Sequence, residues 1–200
     1  MLQIKQTFIT EEDYLNGELV SEIKHEYIDG DIYAMAGASK NHQRISVNMA
    51  RQLGNLLVNT PCEPFLSDLK VKVGRKYFYP DVMVVCNDDE NNEYYTESPT
   101  IIVEVLSRST RRMDETIKKI AYQTIPTLQE YVLIEQDVVD VEVCKRSEGW
   151  VSSHYFMGDE LIFESLNLML SVEDLYHRVK NEDVLAFYEE QKKLLDESKI

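Results

Sequence analysis

Apolar residues along this 200-residue chain follow a helical period in some stretches and a strand period in others. Ile45, Met49, Leu53 and Leu56 fall on one face at helical spacing, which predicts a helix over about 40–59 capped by Ser39. Met113, Ile117, Ile120 and Thr124 repeat the pattern, predicting a helix over about 110–124 with these residues inward and Pro126 as its stop. The runs "PFLSDLKVKV" and "KYFYPDVMVV" read as strands joined by a turn at Gly74, and an acidic loop over 87–98 leads to a strand over 100–106. "EYVLIEQ", "DVEVCKR" and "WVSSHYF" continue as strands, with "EG" at 148–149 turning between the last two. Shorter strand-like runs near 161–164 and 166–170 precede a helix capped by Ser171. Toward the N-terminus, Thr10 and Asp13 open a short helix, and Ser21 stands where it could cap a second one reaching about Tyr27. "DGD" at 29–31 then turns into the strand "IYAMA". The alternation predicts an α/β fold with a mixed central sheet in one domain over 1–180. A charged amphipathic helix with Leu185, Tyr188, Leu194 and Leu195 occupies the remainder, 181–200.

Composition narrows the class. Apolar runs such as Val82 to Cys86 fall far short of a membrane span, and "MLQIKQTFITEEDY" lacks the basic-then-apolar layout of a signal peptide. Cys62, Cys86 and Cys144 are odd in number, far apart and without a CxxC pair. They argue against a disulfide framework and a zinc site, and fit a cytoplasmic location. The net charge of −15 speaks against a broad nucleic-acid footprint. The charge is uneven, however. Arg108, Arg111, Arg112, Lys118 and Lys119 stand against only Asp114 and Glu115, and Lys70, Lys72, Arg75 and Lys76 form a second basic cluster.

Those clusters flank two strand-like runs that each carry one acid, Asp81 in "YFYPDVMVVC" and Glu104 in "TIIVEVLS". A buried carboxylate is costly unless something pairs with it. Pro80 is tolerated at a strand's first residue, which puts Asp81 at the strand's mouth. On neighbouring strands the two carboxylates could converge, and converging acids repel unless one is protonated or a cation lies between them. An all-oxygen pair suits Mg²⁺, with Mn²⁺ as substitute, which activates water and stabilises charge on a phosphoryl oxygen. Lys118 is the candidate cation, with Asp114 four residues before and Tyr122 four after on the same helical face.

The segments "HEYIDGDIYAMAGAS", "YFYPDVMVV", "PTIIVEVLSRST", the spaced Asp114, Lys118 and Tyr122, and "IPTLQEYVLIEQD" follow one another in an order that resembles the Uma-type restriction endonuclease family of the PD-(D/E)XK nuclease superfamily. The resemblance covers roughly residues 8 to 178. It implies a restriction-endonuclease-like mixed β-sheet core flanked by helices, and a Mg²⁺-dependent endonuclease acting on DNA. By position, Asp81 and Glu104 would be the metal ligands, Lys118 the catalytic lysine and Glu26 an added helix-borne acid. One departure matters. The superfamily pattern asks for a lysine two residues after Glu104, where this chain has Leu106. Lys118, on the following helix, would take its place.

Plainer readings stand beside these. Asp81 could be a turn residue, Glu104 half of a buried ion pair, and Lys118 and Glu26 solvated helix residues. His42, on the stripe of Ile45 and Met49, suits a structural or substrate-facing role better than metal ligation, since no second His lies at ligand spacing. Ser107 and Ser109 read as helix caps, "DDENNE" at 88–93 as a solvated loop, and the tyrosine-rich strands as half-buried sheet. The alternative function is a nuclease-fold DNA-binding or assembly module without turnover, which the charge and Leu106 favour. The terminal helix could cover the core or pack against a second copy, and the expected assembly is a homodimer or higher homo-oligomer, since a dimer would let two active sites cut two strands.

Overall fold

The computed structural model describes residues 8–87 and 92–197. Thr10 accepts from the Asp13 N–H and starts α1 (Glu11–Glu18). The helix expected after Ser21 does not form. The Ser21 hydroxyl bonds both the N–H and the carbonyl of Ile23, holding a local turn, and the chain enters β1 (His25–Ile28) instead. Asp29 and Gly30, both at positive φ, make the tight turn into β2 (Asp31–Ala34). Glu26 is therefore a strand residue, not a helical one.

Ser39 accepts from the His42 N–H and caps α2 (Lys40–Leu57). Ile45, Met49 and Leu53 are buried as expected, but the fourth inward residue is Leu57, while Leu56 is 45% exposed. Steps of four from Ile45 reach position 57, not 56. "PFLSDLKVKV" is two strands, β3 (Cys62–Leu66) and β4 (Lys70–Val73), split by a tight turn in which Asp68 and Leu69 both donate to the Leu66 carbonyl. Gly74, at positive φ, turns β4 into β5 (Lys76–Phe78). Pro80, without an N–H, separates β5 from β6 (Val82–Cys86). After the short β7 (Tyr95–Thr96) comes β8 (Pro99–Leu106). The Ser107 hydroxyl accepts from the Thr110 N–H, as a cap should.

The helix that follows is wound differently from expectation. Met113–Lys118 is π-helical and runs into α3 (Lys119–Tyr122). Its buried face is Asp114, Lys118, Ala121 and Tyr122, whereas Ile117 and Ile120 are 45% and 70% exposed. A wider turn shifts each following side chain around the axis, and this one brings the polar stripe inward. The chain then forms β9 (Glu130–Glu135), β10 (Val141–Lys145) and β11 (Ser152–Tyr155), followed by the hairpin β12 (Glu160–Phe163) and β13 (Leu168–Ser171). Two helices close it, α4 (Val172–Leu175) and α5 (Glu182–Glu197).

A six-stranded mixed sheet, in the order β11-β10-β9-β8-β6-β3, is the centre. Within it β8 and β9 are parallel and linked through the π turn and α3. β2-β1-β5-β4-β7 form a second sheet, which pattern reading did not separate from the first. One face of the central sheet packs on α2, α4 and the β12–β13 hairpin through Ile45, Val103, Val132 and Leu175. The other packs on α3 and the second sheet through Phe78, Ile102, Leu106 and Tyr122. α5 is fastened at its start, where Val184 is buried and Asp183 accepts from the Val139 N–H at 2.8 Å. Beyond that, Leu185, Leu194 and Leu195 are about 60% exposed. No helix among the described residues is long and apolar enough to cross a membrane.

The cysteines correct an expectation. Cys62 and Cys86 are Cα partners across antiparallel β3 and β6 and form a disulfide; Cys144 is free and buried. Their 24-residue separation carries no local signal, because sheet register alone brings them together.

Candidate active site

Val82 of β6 is the Cα partner of Val103 in β8, so Asp81, one residue earlier, comes alongside Glu104. The Val105 N–H donates to Asp81 Oδ2 at 2.7 Å, and His42 Nε2 lies 3.2 Å from the same oxygen. His42 is placed by the first turn of α2 and is 9% exposed. Its Nδ1 is buried without a hydrogen-bond partner.

Glu104 projects from the middle of β8 toward the π turn. There Lys118 gathers three acids: its Nζ is 2.8 Å from Glu26 Oε1, 3.1 Å from Glu104 Oε1 and 3.1 Å from Asp114 Oδ1. Tyr122 donates from its hydroxyl to Glu104 Oε1 at 3.0 Å, and the Tyr79 N–H donates to Glu26 Oε1 at 3.2 Å. The Tyr131 hydroxyl donates to the Asp114 carbonyl, fastening the π turn to β9. Glu26, Asp81, Glu104 and Lys118, the residues expected to act together, thus meet at one place, with His42, Asp114 and Tyr122 around them. Glu26 arrives from β1 rather than from a helix.

Burial dominates the electrostatics. It holds the Glu104 carboxyl well above the usual carboxylate range; Lys118 opposes this, and Asp114, Asp81 and Glu26 reinforce it. Burial also raises Asp114 against the pull of Lys118. For Lys118 itself, burial favours the neutral amine, but Glu104, Glu26 and Asp114 together outweigh it and hold the ammonium well above the ordinary lysine range. Burial likewise pushes the Tyr122 hydroxyl up, so it serves as a donor.

These groups line the floor of a cleft of about 710 Å³. Its walls are the end of the β1–β2 hairpin, residues 34–39, the start of α2 and the turn at 107–110. Gln136, at the end of β9, lines it too and was not singled out from sequence. It accepts from the Ser39 hydroxyl and donates to the Leu106 carbonyl, tying the α2 cap to β8. An amide closing an apolar strand was the signal available.

Among the described residues no three His, Cys, Asp or Glu side chains converge as a metal cage. The donor set is instead the sparse one Mg²⁺ accepts, one or two carboxylates with the remaining positions left to water. Four acids of the floor, Glu26, Asp81, Glu104 and Asp114, face one buried ammonium, and the repulsion among them that helps raise Glu104 is what a hard divalent cation at Asp81 and Glu104 would relieve. The residues fit the metal.

A family model, Uma2, described as "Putative restriction endonuclease", matches residues 11–173. Two proteins of Synechocystis sp. (strain ATCC 27184 / PCC 6803 / Kazusa) are similar along most of the chain. "Uncharacterized protein slr1290" is 36% identical over 173 residues, covering 84% of this chain and 91% of that protein. "Uncharacterized protein sll1609" is 39% identical over 168 residues, covering 82% and 93%. Among solved structures, the "putative nuclease belonging to DUF820 from Anabaena variabilis ATCC 29413" superimposes with a TM-score of 0.71 at 22% identity, over 86% of this chain and 99% of that one. At that identity the likeness is one of fold. Every residue of the cleft floor lies inside the matched span.

Proposed function

This chain belongs to the Uma2 family, and from that premise we propose that it is a Mg²⁺-dependent endonuclease hydrolysing phosphodiester bonds of DNA. The observation that carries the reading is the meeting of Asp81 and Glu104, from adjacent strands, with the buried ammonium of Lys118 from the following helix. Asp81 and Glu104 would hold the metal, which supplies Lewis acidity toward a phosphoryl oxygen and a water of lowered pKa. Lys118, kept cationic by its three acids, donates toward the phosphate and offsets charge that develops there. Tyr122 and Asp114 hold Glu104 and Lys118 in place. Glu26 anchors the ammonium from the opposite sheet.

A second reading is a nuclease-fold DNA-binding or assembly module without turnover. The observation favouring it is that Lys118 already carries three ion pairs, leaving the ammonium little freedom to meet a substrate. Plasmid nicking with Mg²⁺ or Mn²⁺ separates the two. The wild type is expected to nick, and Glu104→Gln and Lys118→Ala to lose at least about 100-fold. Equal nicking by all three would defeat the site assignment. Absence of divalent-metal binding by calorimetry at millimolar concentration would favour the module.

A further inference from the structure

We propose that DNA reaches this cleft as a single strand, one nucleotide entering with its base stacked on Tyr33. The inference rests on the nuclease reading and names the substrate form for the same site. It begins with depth. Glu104 is 3% exposed, Lys118 4% and Glu26 5%, and they lie at the floor of a recess in the size class that encloses small ligands. A backbone held in a stacked, paired duplex bends into such a recess less readily than a free strand does. A single strand has free torsions and no partner. Enzymes that act on a base inside the stack likewise take single-stranded or extruded nucleotides.

Tyr33 supplies the stacking surface. In the antiparallel β1–β2 pair it is the Cα partner of Glu26, and directly opposed residues project from the same face of a sheet. The ring therefore stands on the cleft wall beside an acid of the floor, and it is 43% exposed. Tyr14, Tyr27, Tyr77, Tyr122 and Tyr131 are occupied with one another or with Phe78. The Tyr33 side chain has no hydrogen-bond or ring partner among the described residues. It is an aromatic face left open on the wall, and any base can stack on it without regard to sequence. Met35 and Met113 add adaptable thioether surface on the same walls.

Charge points the same way. Duplex recognition is driven by neutralising many phosphates. Here, besides Lys118 with its three acids, the cleft offers Lys24, itself paired with Asp68, and Lys40 and Arg108 adjoin its lining residues. The chain as a whole carries −15. Stacking can supply binding where so few cations are at hand.

The test is fluorescence anisotropy with a labelled thymidine oligonucleotide, as a single strand and annealed as a blunt duplex, in EDTA. Cleavage of the same two probes in Mg²⁺ is followed in parallel. Wild type is expected to bind the single strand at least about 10-fold tighter than the duplex and to cut it preferentially. Tyr33→Ala should weaken single-strand binding by roughly 5- to 100-fold and Tyr33→Phe should restore it. Tyr33→Ala is at an exposed edge-strand position, and an unchanged melting temperature confirms its fold. Equal affinity and cleavage for both probes, or an unaltered single-strand affinity in Tyr33→Ala, overturns the proposal while leaving the nuclease reading intact. Tyr33-dependent single-strand binding without cleavage of either probe upholds the binding mode and defeats the nuclease reading. No binding and no cleavage of either probe overturns both.

Discussion

Replacing Lys118 by Met leaves Glu26, Glu104 and Asp114 buried without their common partner. Removing one side of a buried ion pair costs about 3–5 kcal/mol, and urea unfolding of Lys118→Met at neutral pH should show a loss of that size. The sign with pH is fixed by the shifts. A lysine whose folded pKa is raised contributes fully below its ordinary range, hence throughout neutral pH. Glu104 and Asp114, already raised by burial, take up protons in place of the lost cation as the solution turns acid. The deficit of Lys118→Met should therefore shrink below neutral pH; a deficit that grows there would contradict the assignment. His42 gives a second prediction. Its Nε2 and the Val105 N–H share Asp81 Oδ2, so His42→Leu removes one of the two groups that orient the carboxylate. Calorimetry with Mn²⁺ is expected to show an affinity loss of roughly 10- to 100-fold in His42→Leu and recovery in His42→Gln, which keeps a donor. Equal affinities would show that His42 does not position Asp81. At this scale much was legible: an acid inside an apolar strand is conspicuous, and Glu104 stood out on that ground. Glu26 did not, because nothing within "SEIKHEYIDG" tells a strand acid from a helical one until β5 is laid beside it.

The helix after β8 shows where periodicity misleads. Its apolar stripe places Ile117 and Ile120 inward, yet they face solvent while Asp114 and Lys118 are buried. The reading failed because hydrophobicity fixes a helix's inner face only when the surface it meets is apolar. Here it meets Glu104, whose desolvation is offset only by a cation and a donor, and the π turn supplies the rotation that delivers them. Ile117→Lys and Ile120→Glu should each shift the unfolding free energy by no more than about 0.5 kcal/mol, as surface changes do. A loss above about 2 kcal/mol in denaturant titration would return these residues to the core. α2 was read more faithfully, since its partner is the apolar face of the central sheet and only the final leucine was misassigned. Strand extents were the weakest reading. "PFLSDLKVKV" is uniformly strand-like, and the break at Asp68 arises because its halves belong to different sheets.

For the whole molecule, the order of its motifs carried the fold class, and the α/β core with a mixed sheet is what the chain forms. The second sheet and the Cys62–Cys86 disulfide were not legible, because both depend on pairings between segments far apart in sequence. Net charge bears on binding at this scale. Besides Lys118, already paired with three acids, the cations about the cleft are Lys24, Lys40 and Arg108, so single-strand affinity should fall with salt along a log–log slope of roughly −2. A slope steeper than about −5 would reveal a basic surface elsewhere. Leu106, finally, has a consequence beyond its departure from the superfamily pattern. It is 3% exposed and packs in the core with Met83 and Tyr122, so the strand's own inner position is given over to holding the sheet together. The ammonium arrives on a separate segment whose Ala121 and Tyr122 lie in that same core. Framework and candidate site are therefore fastened to one packed core. A cavity made at Leu106 should thus loosen the lysine's anchorage as well as the sheet.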